Sequence, residues 1–105
     1  MAKKSFAVIG LGRFGQSVVE ELIEKKADVL VIDNNPDRIA KMSKIATHAV
    51  TLDSTDTQAL KEVGITNIDH VVVAIGKDLQ SSIMTTLILK DLGVKFITVK
   101  VQNQD

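Results

Sequence analysis

The chain contains no cysteine, tryptophan or tyrosine, no excess of either charge, and no long apolar run. Without cysteine there is no disulfide, no thiolate metal site and no cysteine nucleophile, and a reducing, cytoplasmic setting is expected. Lys and Arg together number 13, as do Asp and Glu, so no net field draws the chain to nucleic acid or to an anionic membrane. The aromatics are Phe6, Phe14 and Phe96 alone, too few for a platform on which unpaired bases stack. No nucleic-acid partner is therefore expected. The longest apolar run is Val71 to Ile75, far short of the roughly 20 residues a helix needs to cross a bilayer. No direct membrane insertion is expected. The basic start, Met1 to Ser5, leads into an apolar stretch that breaks at Gly10, which argues against a signal peptide.

What is present suits one soluble domain. The 105 residues, 45% apolar and 25% charged, allow a modest core and leave no room for two domains. Apolar runs at Phe6–Ile9, Val29–Ile32, His48–Leu52, Val71–Ile75 and Lys95–Val101 read as strands. Helical patterns lie between them. The first runs from Arg13 to Lys25, with Phe14, Val18, Leu22 and Val19, Ile23 at i, i+4 on one face. The second starts at Pro36 behind an Asn35 N-cap and offers Ile39, Met42 and Ile45 to the core. Thr55-Asp56-Thr57-Gln58 has the form of a capping box, with Thr55 as the cap, and predicts a helix from Asp56 to Val63 that stops at Gly64. The fourth runs from an Asp78 cap to Leu92 and Gly93.

Strict alternation of strand and helix predicts an α/β fold. It is a Rossmann-like parallel sheet of about five strands in the order 3-2-1-4-5, with helices on both faces. The fourth helix carries Leu79, Ile83, Met84, Leu87, Ile88 and Leu89, more apolar surface than one stripe needs. Either it is well buried under the sheet, or part of it pairs with another chain.

The chemistry concentrates at carboxyl ends of strands. Gly10-Leu11-Gly12-Arg13-Phe14-Gly15 follows the first strand and opens the first helix. Gly10 suits the tight turn, Gly12 the close approach of a pyrophosphate, and Gly15 the packing of helix on strand. The free amides and positive dipole end of that helix favour an anion. Asp33 ends the second strand, 18 residues beyond Gly15, where a carboxylate accepts from ribose hydroxyls and repels a 2′-phosphate. NAD(H) or ATP/ADP is expected, and NADP is disfavoured.

Arg13 stands at the mouth of the loop, either on a phosphate or paired with a surface carboxylate. Asn35 ranks below Asp33 because capping alone explains it. Asp53, Ser54 and Thr55 follow the third strand, and Ala74, Ile75 and Gly76 close the fourth, both on the edge where ligands bind. Lys100, near the end of the fifth strand, suits a phosphate or a partner. His48 and His70 open strands on the opposite edge and read as structural. No Ser/His/Asp set, metal cluster or acid–base pair is apparent, so neither catalytic nor metal-ligating residues are expected.

FAVIGLGRFG (6–15), Asp33, ATHAV (46–50), VVVAIGKDLQSS (71–82) and TVKVQN (98–103) together resemble the N-terminal lobe of RCK/KTN (TrkA-N) domains. The likeness is strongest to KtrA-type regulatory subunits of bacterial potassium uptake systems and covers essentially the whole chain. It implies a non-enzymatic gating subunit that binds NAD(H) or ATP/ADP, forms homodimers and rings, and docks on a membrane potassium transporter subunit at the inner face of the cell membrane. Phe14 enters the expected site through this resemblance, which also matches Asn35 and Lys100 to family positions. The resemblance also gives Arg13 a switching role. Leu52-Asp53 stands where the family has Gly-Asp, which keeps the carboxylate. Residues 1–105 are thus expected to be a single nucleotide-binding domain, cut before the family's sixth strand and C-terminal lobe. The same cleft serves NAD-dependent dehydrogenases, and a fragment of one is the alternative. A candidate proton donor at the nicotinamide end is missing, which weighs against it.

Overall fold

Val29–Ile32 and Val71–Ala74 carry no polar side chain, so both faces of these segments must be covered, and a parallel sheet between helices does so. The computed structural model, which describes residues 3–101, has that architecture. Its elements are β1 (Ser5–Ile9), α1 (Arg13–Glu24), β2 (Asp28–Asp33), α2 (Pro36–Met42) and β3 (His48–Thr51). There follow α3 (Thr57–Glu62), a 3-10 turn (Ile65–Asn67), β4 (His70–Gly76), α4 (Leu79–Asp91) and β5 (Phe96–Val101). All pairings are parallel, in the order β3-β2-β1-β4-β5. Gln102 and Asn103, the last residues of the TVKVQN match, lie outside the described residues.

Alternate residues of each strand serve opposite cores. Val8, Val29, Val31 and Val72 meet Val19 of α1 and Ile39 and Met42 of α2. Ala7, Ile9, Leu30, Ile32, Val71 and Val73 meet Leu60, Ile65 and Leu89 on the other face. Each fully buried aliphatic side chain contributes about 1.5–3 kcal/mol; β1, β2 and β4 all feed both cores, with β1 at the centre of the sheet. Between Val73 and Gly76 the β4–β5 register slips by one residue. Ala74 and Ile75, within this irregularity, lie against Gly10 of the glycine loop, and Gly76 pairs again with Val101.

Three local expectations change. Ile45 lies beyond the end of α2 and is 41% exposed, so it adds nothing to that helix's buried face. Phe14 is 43% exposed rather than part of the α1 stripe, and the Lys100 ammonium sits 5.7 Å from its ring centroid. Asp56, not Thr55, caps α3 by accepting from the Ala59 amide, because the Thr55 hydroxyl and amide are both bound to Asp53 Oδ1. On α4, Leu89 is buried, but Leu79, Ile83, Met84 and Leu87 are about half exposed. Of the two readings of this helix, a wholly buried one is ruled out.

Ser54 and Thr85 form a buried hydroxyl pair, 2.7 Å apart, that ties the loop after β3 to α4. Thr85→Val leaves the Ser54 hydroxyl without that partner and is expected to cost about 1–2 kcal/mol. Urea unfolding would show it as a lowered midpoint at unchanged slope. An unchanged midpoint would mean the pair is dispensable.

Candidate functional site

The carboxyl ends of β1 to β4 and the start of α4 converge on a hollow of about 120 Å³. Gly10, Gly12, Asp33, Asp53, Ser54 and Ile75, all expected from the sequence, line it. So do Ile9, Asn34, Arg38, Leu52, Asp78 and Ser81, which were not foreseen as site residues. Ligand pockets usually start near roughly 300 Å³. A nucleotide here would have one part enclosed and the rest on the open surface beside α1.

The three glycines divide their roles. Gly10 has φ 99°, and a Cβ on it would fall 2.5 Å from the Ala74 carbonyl oxygen. A Cβ on Gly15 would overlap the Gly10 carbonyl oxygen. Protein packing therefore demands both. Gly12 has φ −72°, and a Cβ there would meet nothing within 4 Å. Nothing in the described chain requires Gly12 to be glycine, so it keeps open space that a ligand's atoms can occupy.

Gly12 also begins α1, and no side chain caps it, whereas Asn35, Asp56 and Asp78 cap the other three helices. The first-turn amides of α1 lack both a capping side chain and an earlier turn to bond. Beside them, the Gly10 amide donates to the Ile32 carbonyl at 2.8 Å.

Asp33 is only 7% exposed and ties two loops together. Its Oδ2 accepts from the Leu11 amide at 2.7 Å and its Oδ1 from the Asn35 amide at 2.8 Å. Arg38 Nη1 lies 3.7 Å from Oδ2. Each carboxylate oxygen retains a lone-pair direction for a further donor. The sequence held a faint signal for Arg38: it places a cation in the first turn of α2, against the helix dipole.

Thr55, through its hydroxyl and then its amide, holds the Asp53 carboxyl below the usual 3.8. The Ser81 amide and hydroxyl do the same for Asp78. Both are therefore anionic at neutral pH. Because their folded values are depressed, the stability they contribute is complete above the unfolded value and is lost as the pH falls through the folded one.

The other expected site residues lie around the hollow and not in its wall. Arg13 and Phe14 are exposed on the first turn of α1, and Lys100 reaches Phe14 from β5. Asn35 accepts from the Asp37 and Arg38 amides as the α2 cap, and Thr55 is bound to Asp53. Gly15 and Ala74 are buried beneath the loop, and Gly76, at φ 81°, closes β4. Both histidines stand at amino ends of strands. His70 stacks on Phe6 and shares a 2.7 Å hydrogen bond with Thr98.

Comparison with known proteins bears on this arrangement. The sequence model of the TrkA-N domain matches residues 6–105. The Ktr system potassium uptake protein C of Bacillus subtilis is 56% identical over 101 residues, which are 96% of this chain and 46% of that protein. The Ktr system potassium uptake protein A of the same organism is 46% identical over 100 residues, 95% of this chain and 45% of its own length. The chain thus spans a little under half the length of these relatives. Among solved structures, the TrkA-N domain of the inner membrane protein ybaL from Escherichia coli superposes with a TM-score of 0.81 at 13% identity, covering 97% of this chain and 76% of that one. At that identity the likeness speaks for the fold.

Proposed function

The chain belongs to the TrkA-N domain family, and from that premise we propose that it is the nucleotide-sensing part of a potassium uptake system. In this reading the hollow and the start of α1 bind the adenosine and phosphates of NAD(H) or of ATP/ADP. Asp33 receives ribose hydroxyls, with Asn35, Asp53, Ser54, Thr55, Ala74, Ile75 and Gly76 around the nucleoside. Gly10, Gly12 and Gly15 form the phosphate turn. Arg13 and Lys100, the latter released from Phe14, supply the cations. The chain performs no chemistry on the ligand. Its partners are a membrane potassium transporter subunit and further copies of itself, at the cytoplasmic face of the membrane.

One observation carries this reading: Gly12 is glycine where packing asks for none, next to helix amides that no side chain caps. The named relatives supply the transport context, and their names concern potassium uptake and not turnover. The cleft wall offers carboxylates, hydroxyls and a guanidinium, with both histidines at the opposite edge.

Gly12→Ala is the test. It is expected to cost no more than about 1 kcal/mol of stability, the difference between glycine and alanine at an N-cap. It is also expected to weaken ATP, ADP and NADH by roughly tenfold or more by obstructing the phosphates. Calorimetric titration beside thermal unfolding separates the two effects. Unchanged affinity in a folded variant would remove the phosphate turn from the proposal. Failure of the unaltered chain to bind any of these nucleotides at submillimolar concentration would remove nucleotide sensing altogether.

A further inference from the structure

The side of the hollow that would hold a ribose carries two opposite charges. Asp33 is almost wholly buried, and each carboxylate oxygen already accepts a backbone amide. Its charge therefore holds the glycine loop and the β2–α2 loop together, and little of it reaches solvent. Arg38 is different. Its side chain is 50% exposed, its Nη1 is 3.7 Å from Asp33 Oδ2, and it lines the same hollow as Asn34. At that distance the ion pair is loose, and its guanidinium side is half exposed and screened by water and salt. The guanidinium is thus free to turn toward a ligand at small cost.

Its position matters because a carboxylate at the end of β2 alone repels a 2′-phosphate, whereas a nearby arginine accommodates one. Here both groups are present at one corner. A ribose 2′-hydroxyl can donate to the remaining lone pairs of Asp33. A 2′-phosphate can receive two parallel N–H bonds from Arg38, whose charge also offsets that of Asp33. The remaining carboxylates of the wall, Asp53 and Asp78, are engaged by Thr55 and by Ser81.

We infer that the site accepts adenosine dinucleotides with either a 2′-hydroxyl or a 2′-phosphate, and that Arg38 is the residue that admits the phosphate. This rests on the nucleotide reading above and revises one expectation from the sequence, the exclusion of NADP by Asp33.

The experiment is titration of the full chain and of Arg38→Ala and Arg38→Lys with ADP, NADH and NADPH. The unaltered chain should bind NADH and NADPH within about tenfold of each other. Loss of a bidentate charged contact should weaken NADPH by roughly 10- to 100-fold in Arg38→Ala. NADH and ADP should stay within about threefold, since neither has a 2′-phosphate. Arg38→Lys, which keeps the charge but not the fork, should fall between. If ADP and NADH bind and NADPH does not, Asp33 excludes the phosphate and the inference is overturned. Equal weakening of all three ligands by Arg38→Ala also overturns it, because Arg38 would then be shaping the pocket. If none of the three binds the unaltered chain, the nucleotide reading itself fails.

Discussion

Gly10→Ala is expected to lose about 3–4 kcal/mol of folding stability and, with it, nucleotide binding. Two costs combine. The residue is held at φ 99°, where an L side chain is strained by about 1–3 kcal/mol. Its new Cβ would also press into the backbone at Ala74 and Ile75, which no rotamer change relieves. For a domain of this size each kcal/mol moves the melting temperature by about 4–8 °C, so a fall of roughly 12–30 °C follows. Gly15→Ala, whose Cβ would overlap the Gly10 carbonyl oxygen, belongs to the same class. Thermal unfolding followed by circular dichroism measures both. A Gly10→Ala variant that melted within a few degrees of the parent would show that β4 can withdraw from the loop, contrary to the packing described. The contrast with Gly12→Ala, cheap in stability and costly in affinity, is the stronger diagnostic, because one motif then separates into structural and binding positions.

The second large effect belongs to Asp33. Asp33→Ala strips a charged acceptor from the buried Leu11 amide and from the Asn35 amide. An amide left unpaired away from water costs about 1–3 kcal/mol, and the total should come to about 2–4 kcal/mol. On the proposed role of Asp33 as ribose acceptor, its loss should also weaken every adenosine ligand by roughly tenfold or more. Asp33→Asn is the informative companion. Its side chain offers one acceptor oxygen and a donating amide, so only one loop stays anchored and an intermediate loss is expected. Full stability in Asp33→Ala, measured by denaturant unfolding, would mean that the two loops hold their shape without the carboxylate.

Much of this was legible in the sequence, for identifiable reasons. β2 and β4 announced themselves because strands covered on both faces cannot tolerate polar residues, and the strand order followed from the alternation of elements. The cap of α2 was readable because Asn35-Pro36 has few other uses. The cap of α3 was misplaced by one residue because Thr55 and Asp56 are both good caps. Asp53 decides between them by taking the Thr55 hydroxyl, and local pattern cannot report that competition. Phe14 carries the right spacing for a buried stripe but sits at the helix start, partly exposed, where Lys100 meets it instead. Arg38 was missed because a single arginine on a short helix looks like solvated surface. Only the fold sets it against Asp33.

The position of β1 has one more consequence, for the order in which the molecule is built. It pairs on one side with β2, which follows it closely, and on the other with β4, where the Ser5 amide meets Asp69, 64 positions away. The glycine loop therefore lies on the seam between an early and a late half of the chain, and the Gly10–Ala74 contact closes only when those halves dock. Such long-range closure is the slow part of folding a parallel sheet. On the proposed function, a nucleotide seated across the seam would hold the halves together, and its stabilisation, about 2.7 kcal/mol at a hundredfold excess over Kd, would be felt by the whole domain in one transition. On that same proposal, the loop that reads the ligand is also a joint between two halves of the fold that lie far apart in sequence.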